Sequence, residues 1–313
     1  MPSVAPTVSV VIPAYNAARY IGMALMSAQE QTFHDHELIV VDDGSSDDTA
    51  ERAAAVAPEA TILRQPNGGP GRARNLGVAR ARGRLVAFLD ADDVWFPDAL
   101  ATLVGYAQRH PEAGLVCARL ERPFRFTPRP VRDEPPRARF CDIFHKRFQI
   151  HVGAVLLPRA VFAELGGFDE RREIHVEDWD LWLRIAARHP VGYVPRAVLW
   201  NRPVGIMSVA ENKAYRGRRL TIDKTLPLCA QACALHRADP DACVAERIHL
   251  TQHVHGRELL RAGRRHEARQ AFNEALEHRP LAVRTQLLRA ASFLGAAPLR
   301  WLYGLKDLVA PPR

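Results

Sequence analysis

The sequence of 313 residues lacks a long hydrophobic run. No apolar stretch approaches the roughly 20 residues that a helix needs to span a bilayer. Residues 1–7 also lack the basic region of a secretory signal, and the apolar stretch that follows them is only as long as a strand. From these absences we expect a cytoplasmic protein without a membrane-spanning helix.

Cysteine is scarce, and its spacing is not that of a metal or redox motif. The five cysteines are odd in number, and they form no Cys-x-x-Cys pair. Cys229 and Cys233 lie one helical turn apart, but the set as a whole is not the even, regularly spaced pattern of a disulfide framework. We therefore expect free thiols, as in a reducing cytoplasm.

The first two thirds of the chain have no excess of either charge. Residues 1–209 hold 25 of the 43 Lys and Arg and 25 of the 35 Asp and Glu, and residues 210–313 hold the remaining 18 and 10. The whole net charge of +8 therefore belongs to the C-terminal third. A neutral front with a basic tail indicates that the tail faces an anionic surface, either lipid or nucleic acid.

Short apolar runs alternate with helical patterns over the first ninety residues. The runs predict strands at 8–12, 37–41, 61–63 and 85–89. Helices are expected at about 18–31, from the capping residues 45–47 to about 57, and after the loop 67–71, over residues that include 73–79. Such alternation predicts βαβ units, so the expected fold class is α/β with a mostly parallel central sheet.

Residues 119–147 interrupt this pattern with arginines and prolines and are expected to be irregular. Beyond them we predict strands at 152–157, 191–194 and 198–200 and helices at 159–165 and 179–188. From about residue 249 the chain is predicted to be helical throughout, with the spacing of one tetratricopeptide-like helix pair at about 249–282. The expected domains are residues 1–209 and a basic helical extension, residues 210–313.

Acidic residues follow two of the predicted strands. Three carboxylates lie within Asp90-Ala91-Asp92-Asp93, and Asp42-Asp43 ends an earlier strand. Carboxylate oxygens suit Mg²⁺ or Mn²⁺, which bind through one or two carboxylates and substrate phosphates. In a parallel sheet the carboxyl ends of the strands form the ligand crevice. The alternative for each cluster is a solvated turn with helix-capping aspartates.

A glycine-rich loop, 67–71, precedes a predicted helix, and a helix N-terminus favours phosphate. Gly69 and Gly71 begin a dinucleotide-type pattern, but Arg74 occupies the third glycine position and no Walker A lysine motif occurs. Further along, Glu177-Asp178 precedes a predicted helix, where a carboxylate serves either as a cap or as a general base. His151 and His175 lie nearby, and for each the ordinary role of a surface or core histidine is favoured.

Six short motifs follow one another along residues 7–205. They are Val10-Val11-Ile12-Pro13-Ala14-Tyr15-Asn16, Val41-Asp42-Asp43-Gly44-Ser45-Ser46-Asp47, Gly71-Arg72-Ala73-Arg74-Asn75-Leu76-Gly77, Asp90-Ala91-Asp92-Asp93, Gly166-Gly167-Phe168-Asp169 and Glu177-Asp178. In this order they resemble the family 2 glycosyltransferases. Each motif is weak alone, but six in order with regular spacing are specific.

The resemblance implies a GT-A (nucleotide-diphospho-sugar transferase) fold, with a nucleotide-sugar half at about 7–95 and an acceptor half at about 96–209. It implies an inverting, metal-assisted transfer of a sugar to an acceptor hydroxyl. In this picture Asp178 is the catalytic base, and Asp92 binds Mn²⁺ or Mg²⁺ at the diphosphate. Asp90 and Asp93 would contact the metal, the ribose or the sugar.

The remaining roles implied by the resemblance concern substrate contacts. Tyr15 would stack on or border the nucleotide base, and Asp43 would bind it. The other residues expected on the nucleotide-sugar side are Pro13, Asn16, Gly71, Arg74 and Asn75, and those on the acceptor side are Glu177 and Trp179. We expect a UDP-sugar first, with guanosine and thymidine donors open, a glycan or lipid-linked acceptor in polysaccharide biosynthesis, and no nucleic-acid partner.

Several alternatives stay open at this point. A nucleotidyltransferase would carry Gly-x-Gly-x-Arg after its first strand, where this chain has residues 13–16 of the first motif. A retaining glycosyltransferase and an inactive, glycosyltransferase-like binding module are closer rivals. Processive synthases carry membrane helices and a Gln-x-x-Arg-Trp motif, which are absent here. The basic tail would either contact anionic lipid at the inner face of a membrane or pack its leucines on the front domain.

Overall fold

The computed structural model describes residues 5–121, 140–145, 148–171, 173–202, 211–235 and 239–293. The chain divides into two units, residues 1–209 and 210–313, and each is described by itself. Within the described ranges no helix combines the length and the hydrophobicity needed to cross a bilayer.

The first unit is built on a sheet of eight described strands in the order β3-β2-β1-β4-β7-β6-β8-β5. The strands are β1 Val8–Ala14, β2 His36–Asp42, β3 Thr61–Arg64, β4 Leu85–Phe88, β5 Val94–Trp95, β6 Leu115–Glu121, β7 Val155–Pro158 and β8 Val191–Trp200. Four neighbouring pairs are parallel: β1 with β2, β1 with β4, β2 with β3, and β6 with β8. The predicted α/β class and mostly parallel sheet are confirmed.

Helices cover the sheet, and their apolar faces form the core. They are α1 Ile21–Gln29, α2 Thr49–Val56, α3 Pro70–Arg80, α4 Ala99–Arg109, α5 Phe140–Phe144, α6 Arg159–Glu164 and α7 Glu177–Ala186. The central strands β1 and β4 are aliphatic or aromatic along most of their length because both of their faces are covered. The predicted helices are present, with ends shifted by a few residues.

Three expectations for residues 119–200 are wrong. The segment from residue 119 is not irregular throughout, because β6 continues to Glu121 and α5 begins at Phe140; residues 122–139 lie outside the described part. Residues 152–157 are not one strand, since a 3₁₀ turn at Val152–Ala154 precedes β7. The two short strands after residue 190 are one strand, β8. The register shifts beside Ala118, and residues 195–196 are left without ladder partners, so the strand accommodates a proline.

Helix α3 lies close to the sheet because Gly77 faces β1. A Cβ atom at Gly77 would lie 2.3 Å from Cγ1 of Val11, a distance that real Cβ contacts do not show. The absent side chain therefore sets the spacing between α3 and β1. The same spacing sets the distance from the sheet of the preceding helical turn, which carries Arg74.

We expect Gly77→Ala to destabilise the first unit by about 1–3 kcal/mol, because an added methyl in a packed core forces the backbone to shift. Gly105→Ala, in α4, is the matched control. Its Cβ would meet the Arg109 guanidinium at 3.5 Å and nothing closer, so it should be neutral or stabilising by up to about 1 kcal/mol. Urea unfolding of both variants checks this, and equal stability would contradict the packing argument.

The second unit is helical over its described residues, as expected. Its helices are α8 Glu211–Leu235, α9 Pro240–Arg261, α10 Arg265–His278 and α11 Val283–Ala291. Gly256 allows α9 and α10 to pack closely, since a Cβ there would lie 2.6 Å from the Phe272 ring. Gly263, at φ +76°, makes the turn between the two helices. The predicted helix pair at about 249–282 therefore falls within α9 and α10, and residues 294–313 lie outside the described part.

Candidate active site

The acidic residues singled out in the sequence lie at one edge of the sheet. Strand β1 is flanked by β2 and β4, so the carboxyl ends of these three parallel strands adjoin. The backbone N–H of Asp43 donates to the carbonyl of Ala14 at 2.8 Å, and that of Leu89 donates to Val11 at 3.1 Å. Asp43 and Asp90 therefore flank the end of β1, where Tyr15 and Asn16 follow Ala14.

Asp43 organises the glycine-rich loop. Its buried carboxylate accepts hydrogen bonds from Nε2 of Gln65 at 2.6 Å and from the backbone N–H groups of Gly68 and Gly69, both at 2.8 Å. Gly69 has φ +91°, which favours glycine. A nucleobase would therefore meet Asp43 as part of a preformed loop, and base recognition by Asp43 stays a prediction.

Residues that follow β1 close one end of the crevice. Oδ1 of Asn16 accepts from the backbone N–H of Ser46 at 2.8 Å, and the N–H of Asn16 donates to Oγ of Ser45 at 2.9 Å. These bonds hold Asn16 at φ +48°, a left-handed conformation. Tyr15, 43% exposed, lies beside them, where an aromatic ring is accessible to a ligand. Pro13 lies at the end of β1 and is partly buried.

Arg74 connects the two halves of the first unit. Its side chain is 4% exposed and pairs with Asp90 through Nη2 and with Glu177 through Nη1, both at 2.8 Å. Asp90 follows β4, and Glu177 begins α7, so one guanidinium joins the end of β4 to the helix that carries Asp178. Its face also lies 5.4 Å from the centre of the Phe168 ring.

The charges of this group depend on one another. Burial acts to lower the pKa of Arg74, but Asp90 and Glu177 outweigh it, and the pKa is raised. Burial acts to raise the pKa of Asp90, but Arg74 and His151 outweigh it, and the pKa is lowered. The pKa of Glu177 is raised by burial and by Asp178 against the effect of Arg74. Arg74 and Asp90 are therefore charged together.

We expect Arg74→Gln to lower the free energy of unfolding by about 3–5 kcal/mol, because it leaves the buried carboxylates of Asp90 and Glu177 without their cation. Arg72→Gln, on the exposed side of the same helix, removes the same charge and should change stability by no more than about 0.5 kcal/mol. Chemical denaturation of the two variants tests the difference. Similar losses in both would contradict a structural role specific to Arg74.

The other donor-side residues of α3 face the loop that leads to α7. The amide of Asn75 donates to the carbonyl of Phe168 at 2.9 Å and accepts from the N–H of the same residue at 2.9 Å. A Cβ at Gly71 would lie 3.2 Å from the carbonyl oxygen of Asp169 and from Cγ of Glu177. Gly71 and Asn75 thus hold the loop against α3, and their predicted contact with the nucleotide sugar stays a prediction.

Asp93 is the most buried carboxylate of the acidic cluster. It is 1% exposed and accepts from Nδ2 of Asn201 at 3.0 Å and from the N–H of Arg202 at 3.0 Å. His151 approaches it, with Nε2 4.0 Å from Oδ2 of Asp93. Asn201 and Arg202 were not predicted from the sequence. Their signal is a polar pair directly after β8, the same strand-end signal that indicated Asp90.

A group of metal-ligating atoms converges here. Among the described residues, ligand atoms of Asp90, Asp93 and His151 lie within 4.8 Å of one another. His151, for which an ordinary role was favoured, is therefore part of the cluster. Asp92, predicted as the principal metal ligand, is outside this group and is partly buried. Its role stays a prediction.

The electrostatics of the cluster favour a cation. Burial and the nearby Asp90 raise the pKa of Asp92, and the same two causes raise that of Asp93 to about 7. Carboxylates whose ionised forms are disfavoured in this way become more stable as anions when a positive ion lies between them. The donor set of carboxylate oxygens and one imidazole fits Mg²⁺ or Mn²⁺.

A pocket of about 230 Å³ lies beside Asp178. Its described lining is mainly apolar and aromatic and consists of Leu120, Ile143, Phe148, Gln149, Ile150, His151, Val176, Asp178, Trp179 and Trp182. Asp178 Oδ1 accepts from the N–H of Trp179 at 2.6 Å, and Nε1 of Trp179 donates to the carbonyl of Ile143 at 2.9 Å. Because His151 also lies next to Asp93, the pocket adjoins the acidic cluster.

Comparison with known proteins agrees with this geometry. The family model described as "Glycosyl transferase family 2" matches residues 9–164. An uncharacterised protein of Mycobacterium tuberculosis is 32% identical over 242 residues, which are 69% of this chain and 75% of that protein. The succinoglycan biosynthesis protein ExoW of Rhizobium meliloti is 46% identical over 99 residues, 29% of this chain and 31% of that protein. The chain therefore belongs to glycosyl transferase family 2.

Solved structures confirm the expected GT-A fold. TarS of S. aureus, residues 1–349 in complex with UDP-GlcNAc, superposes with a TM-score of 0.66 at 17% identity, covering 92% of this chain and 89% of that one. The mannosyltransferase PcManGT of Pyrobaculum calidifontis, in complex with GDP-Man and Mn²⁺, gives 0.56 at 20% identity, covering 99% and 81%. Among relatives by sequence, an uncharacterised glycosyltransferase of Rickettsia prowazekii is 28% identical to this chain over 194 residues. The match covers 57% of this chain and 58% of the length of that relative.

Proposed function

We propose that this protein transfers a sugar from a nucleoside-diphosphate sugar to an acceptor hydroxyl in polysaccharide biosynthesis, by a metal-assisted, inverting displacement. The observation that carries the proposal is the Arg74 bridge. It joins the acidic cluster, through Asp90, to the start of α7, where Asp178 faces a pocket. The family assignment agrees with this chemistry.

The residues divide the reaction between them. Tyr15, Asn16 and the loop held by Asp43 form the wall on which the nucleoside would bind. Asp178 would accept the proton of the acceptor hydroxyl as that oxygen attacks the anomeric carbon and the bond to the diphosphate breaks. Trp179 lines the same pocket and would contact the acceptor. One displacement inverts the anomeric centre and needs no nucleophile from the protein.

A divalent cation fits the acidic cluster and would be held by Asp92 and Asp90, with Asp93 and His151 beside them. Bound there, it would stabilise the charge that develops on the leaving diphosphate. Arg74 keeps Asp90 ionised, and Asn201 orients Asp93. The Mn²⁺ in the mannosyltransferase structure supports this assignment by analogy of fold alone.

A panel of UDP-, GDP- and TDP-sugars in a thermal-shift assay, with Mn²⁺ or with excess chelator, tests donor binding. A ligand at 100 times its Kd stabilises the native state by about 2.7 kcal/mol. We expect one donor class to raise the melting temperature in a metal-dependent way, with UDP-sugars first. NMR of the product anomer then separates inversion from retention. Metal-dependent binding without turnover on any glycan or lipid-linked acceptor would favour the binding-module alternative.

The basic tail supports peripheral contact with anionic lipid as a second part of the proposal. Residues 210–313 carry the entire +8 charge, and a lipid-linked acceptor would lie at the same surface. Co-sedimentation with anionic vesicles should weaken as salt rises, because exposed charges are screened over about 8 Å at physiological ionic strength. Equal amounts of protein in the supernatant with neutral and anionic vesicles at low salt would favour the alternative, in which the leucines of the tail pack on the front domain.

A further inference from the structure

A second pocket is lined by residues of the second unit. It has a volume of about 650 Å³ and lies where the end of α10 turns into α11, against the middle of α9. Its described lining is Glu246, His249, Leu250, His253, His278, Arg279, Pro280, Leu281, Ala282, Val283, Arg284 and Thr285. This volume is in the range of small-molecule sites.

The polar lining is strongly basic. Three histidines and two arginines face one carboxylate, that of Glu246, among the described lining residues. Nη1 of Arg279 lies 3.7 Å from Oε1 of Glu246, and Arg279 is 55% exposed. Two arginines against one glutamate give the described lining a net positive formal charge.

Two of the imidazoles are buried and tied into one network. His249 and His253 are each 7% exposed, and Thr285, between them, is 1% exposed. Nδ1 of His249 lies 2.9 Å from the carbonyl of Ala275, which can only accept, so this nitrogen carries a proton. Oγ1 of Thr285 lies 2.8 Å from Nδ1 of His253 and 3.5 Å from Nε2 of His249. The network fixes the orientation of both rings beside the pocket.

The charged groups around these rings are mainly positive. Burial, then Arg257, His249 and Arg284 lower the pKa of His253 to about 4. The pKa of His249 is also lowered, first by burial and then by Arg279 and His278. The hydrogen bond to Ala275 and the charge of Glu246 act in the opposite direction but do not outweigh these causes. The rings are therefore neutral at pH 7 and lie in a positive potential, which an anion in the pocket would reduce.

We propose that this pocket binds a phosphate group. Guanidinium groups, and imidazoles once they take up a second proton, are strong donors to phosphate oxygens. Arg279 and Arg284 come from the two sides of the α10–α11 turn. The same chemistry is offered by a soluble phosphate ester and by the phosphate of a lipid headgroup. The pocket is distinct from the site of sugar transfer, and the inference does not rest on the proposed function.

Binding of inorganic phosphate and of sulfate to the full chain tests the inference. Both are measured by calorimetry and by NMR of the histidine rings, and sulfate keeps its charge between pH 5.5 and 7.5. We expect both anions to shift the His249 and His253 resonances. Sulfate affinity should rise at least threefold from pH 7.5 to 5.5, because the anion raises the pKa of the rings and binds together with protons.

Arginine variants inside and outside the pocket make the test specific. Arg279→Gln combined with Arg284→Gln should weaken phosphate binding at least tenfold. Arg265→Gln, at the opposite end of α10 and about 20 Å away along the helix axis, should bind as the wild type does. Thermal melting without phosphate verifies that each variant is folded. Thr285→Val, which disrupts the network without changing charge, should weaken the pH dependence.

Vesicles distinguish the source of the phosphate. If the ligand is a lipid headgroup, phosphatidylglycerol vesicles bind the wild type and the Arg265→Gln variant but not the double variant, and inorganic phosphate competes. Binding of inorganic phosphate without vesicle binding assigns the site to a soluble ester. Absence of phosphate binding, or equal affinity in the double variant and the control, overturns the proposal.

Discussion

Asp178→Asn is expected to lower the turnover rate by about 10²–10⁴, the usual contribution of general base catalysis, and to leave donor affinity unchanged. The amide keeps the shape of the side chain but cannot accept a proton from the acceptor hydroxyl. Its oxygen can still accept the hydrogen bond from the N–H of Trp179, so α7 should begin as before. Steady-state kinetics with the donor that the thermal-shift panel selects, and donor binding by calorimetry, give the turnover rate and the donor affinity.

Glu173→Gln is the matched control for this prediction. It removes one negative charge from an exposed position shortly before α7 and should keep the rate within about twofold. A variant that loses donor affinity and keeps its rate at saturation would assign Asp178 to the donor site instead.

Asp92→Asn is expected to reduce kcat by about 10³ or more, since a metal that stabilises the leaving group is worth several kcal/mol in the transition state. The stability of the folded protein should not decrease. Burial and Asp90 raise the pKa of Asp92, so its ionised form is disfavoured in the fold and neutralising it removes repulsion. We therefore expect an unfolding free energy, measured without metal, at or above that of the wild type.

Two comparisons make this prediction specific to the metal. Glu59→Gln, at an exposed position remote from the crevice, should leave both the rate and its Mn²⁺ dependence unchanged. His151→Gln tests whether the metal is held by Asp92 or by the converging group of Asp90, Asp93 and His151. A larger rise in the Mn²⁺ concentration needed for half activity in His151→Gln than in Asp92→Asn would make His151 the stronger ligand. Full wild-type activity in excess chelator would end the metal hypothesis.

Local chemistry predicted residues 7–95 well. Strands β1, β2 and β4 each contain a run of buried apolar residues, and polar residues stand at the end of each strand or within two positions after it. Sequential strands joined by helices are parallel and lie close together, so the convergence of Asp43 and Asp90 could be predicted from their positions at strand ends. Four of the six motifs that resemble the family lie in this part of the chain.

The acceptor half was predicted less well, and the reason is the length of its connections. Strand β7 is inserted antiparallel between β4 and β6, and β8 passes through Pro195 by means of a bulge. Nothing in the periodicity of a short segment specifies which distant strand will be its neighbour. Pro195 suggested a break because proline lacks the N–H that a regular ladder requires. The structure accommodates it through the shifted register with β6, a strand that is remote in the sequence.

The sequence by itself determined the fold class, the family and the acidic strand ends, because each depends on residues close together in the chain. Tertiary structure alone decided how these residues work together. Arg74 reaches Glu177 over 103 positions, and Asn201 reaches Asp93 over 108. Whether a buried charge is paired, and how far its pKa moves, depends on groups that folding brings within a few ångströms. Those distances follow from strand order and crossovers, which local patterns do not encode.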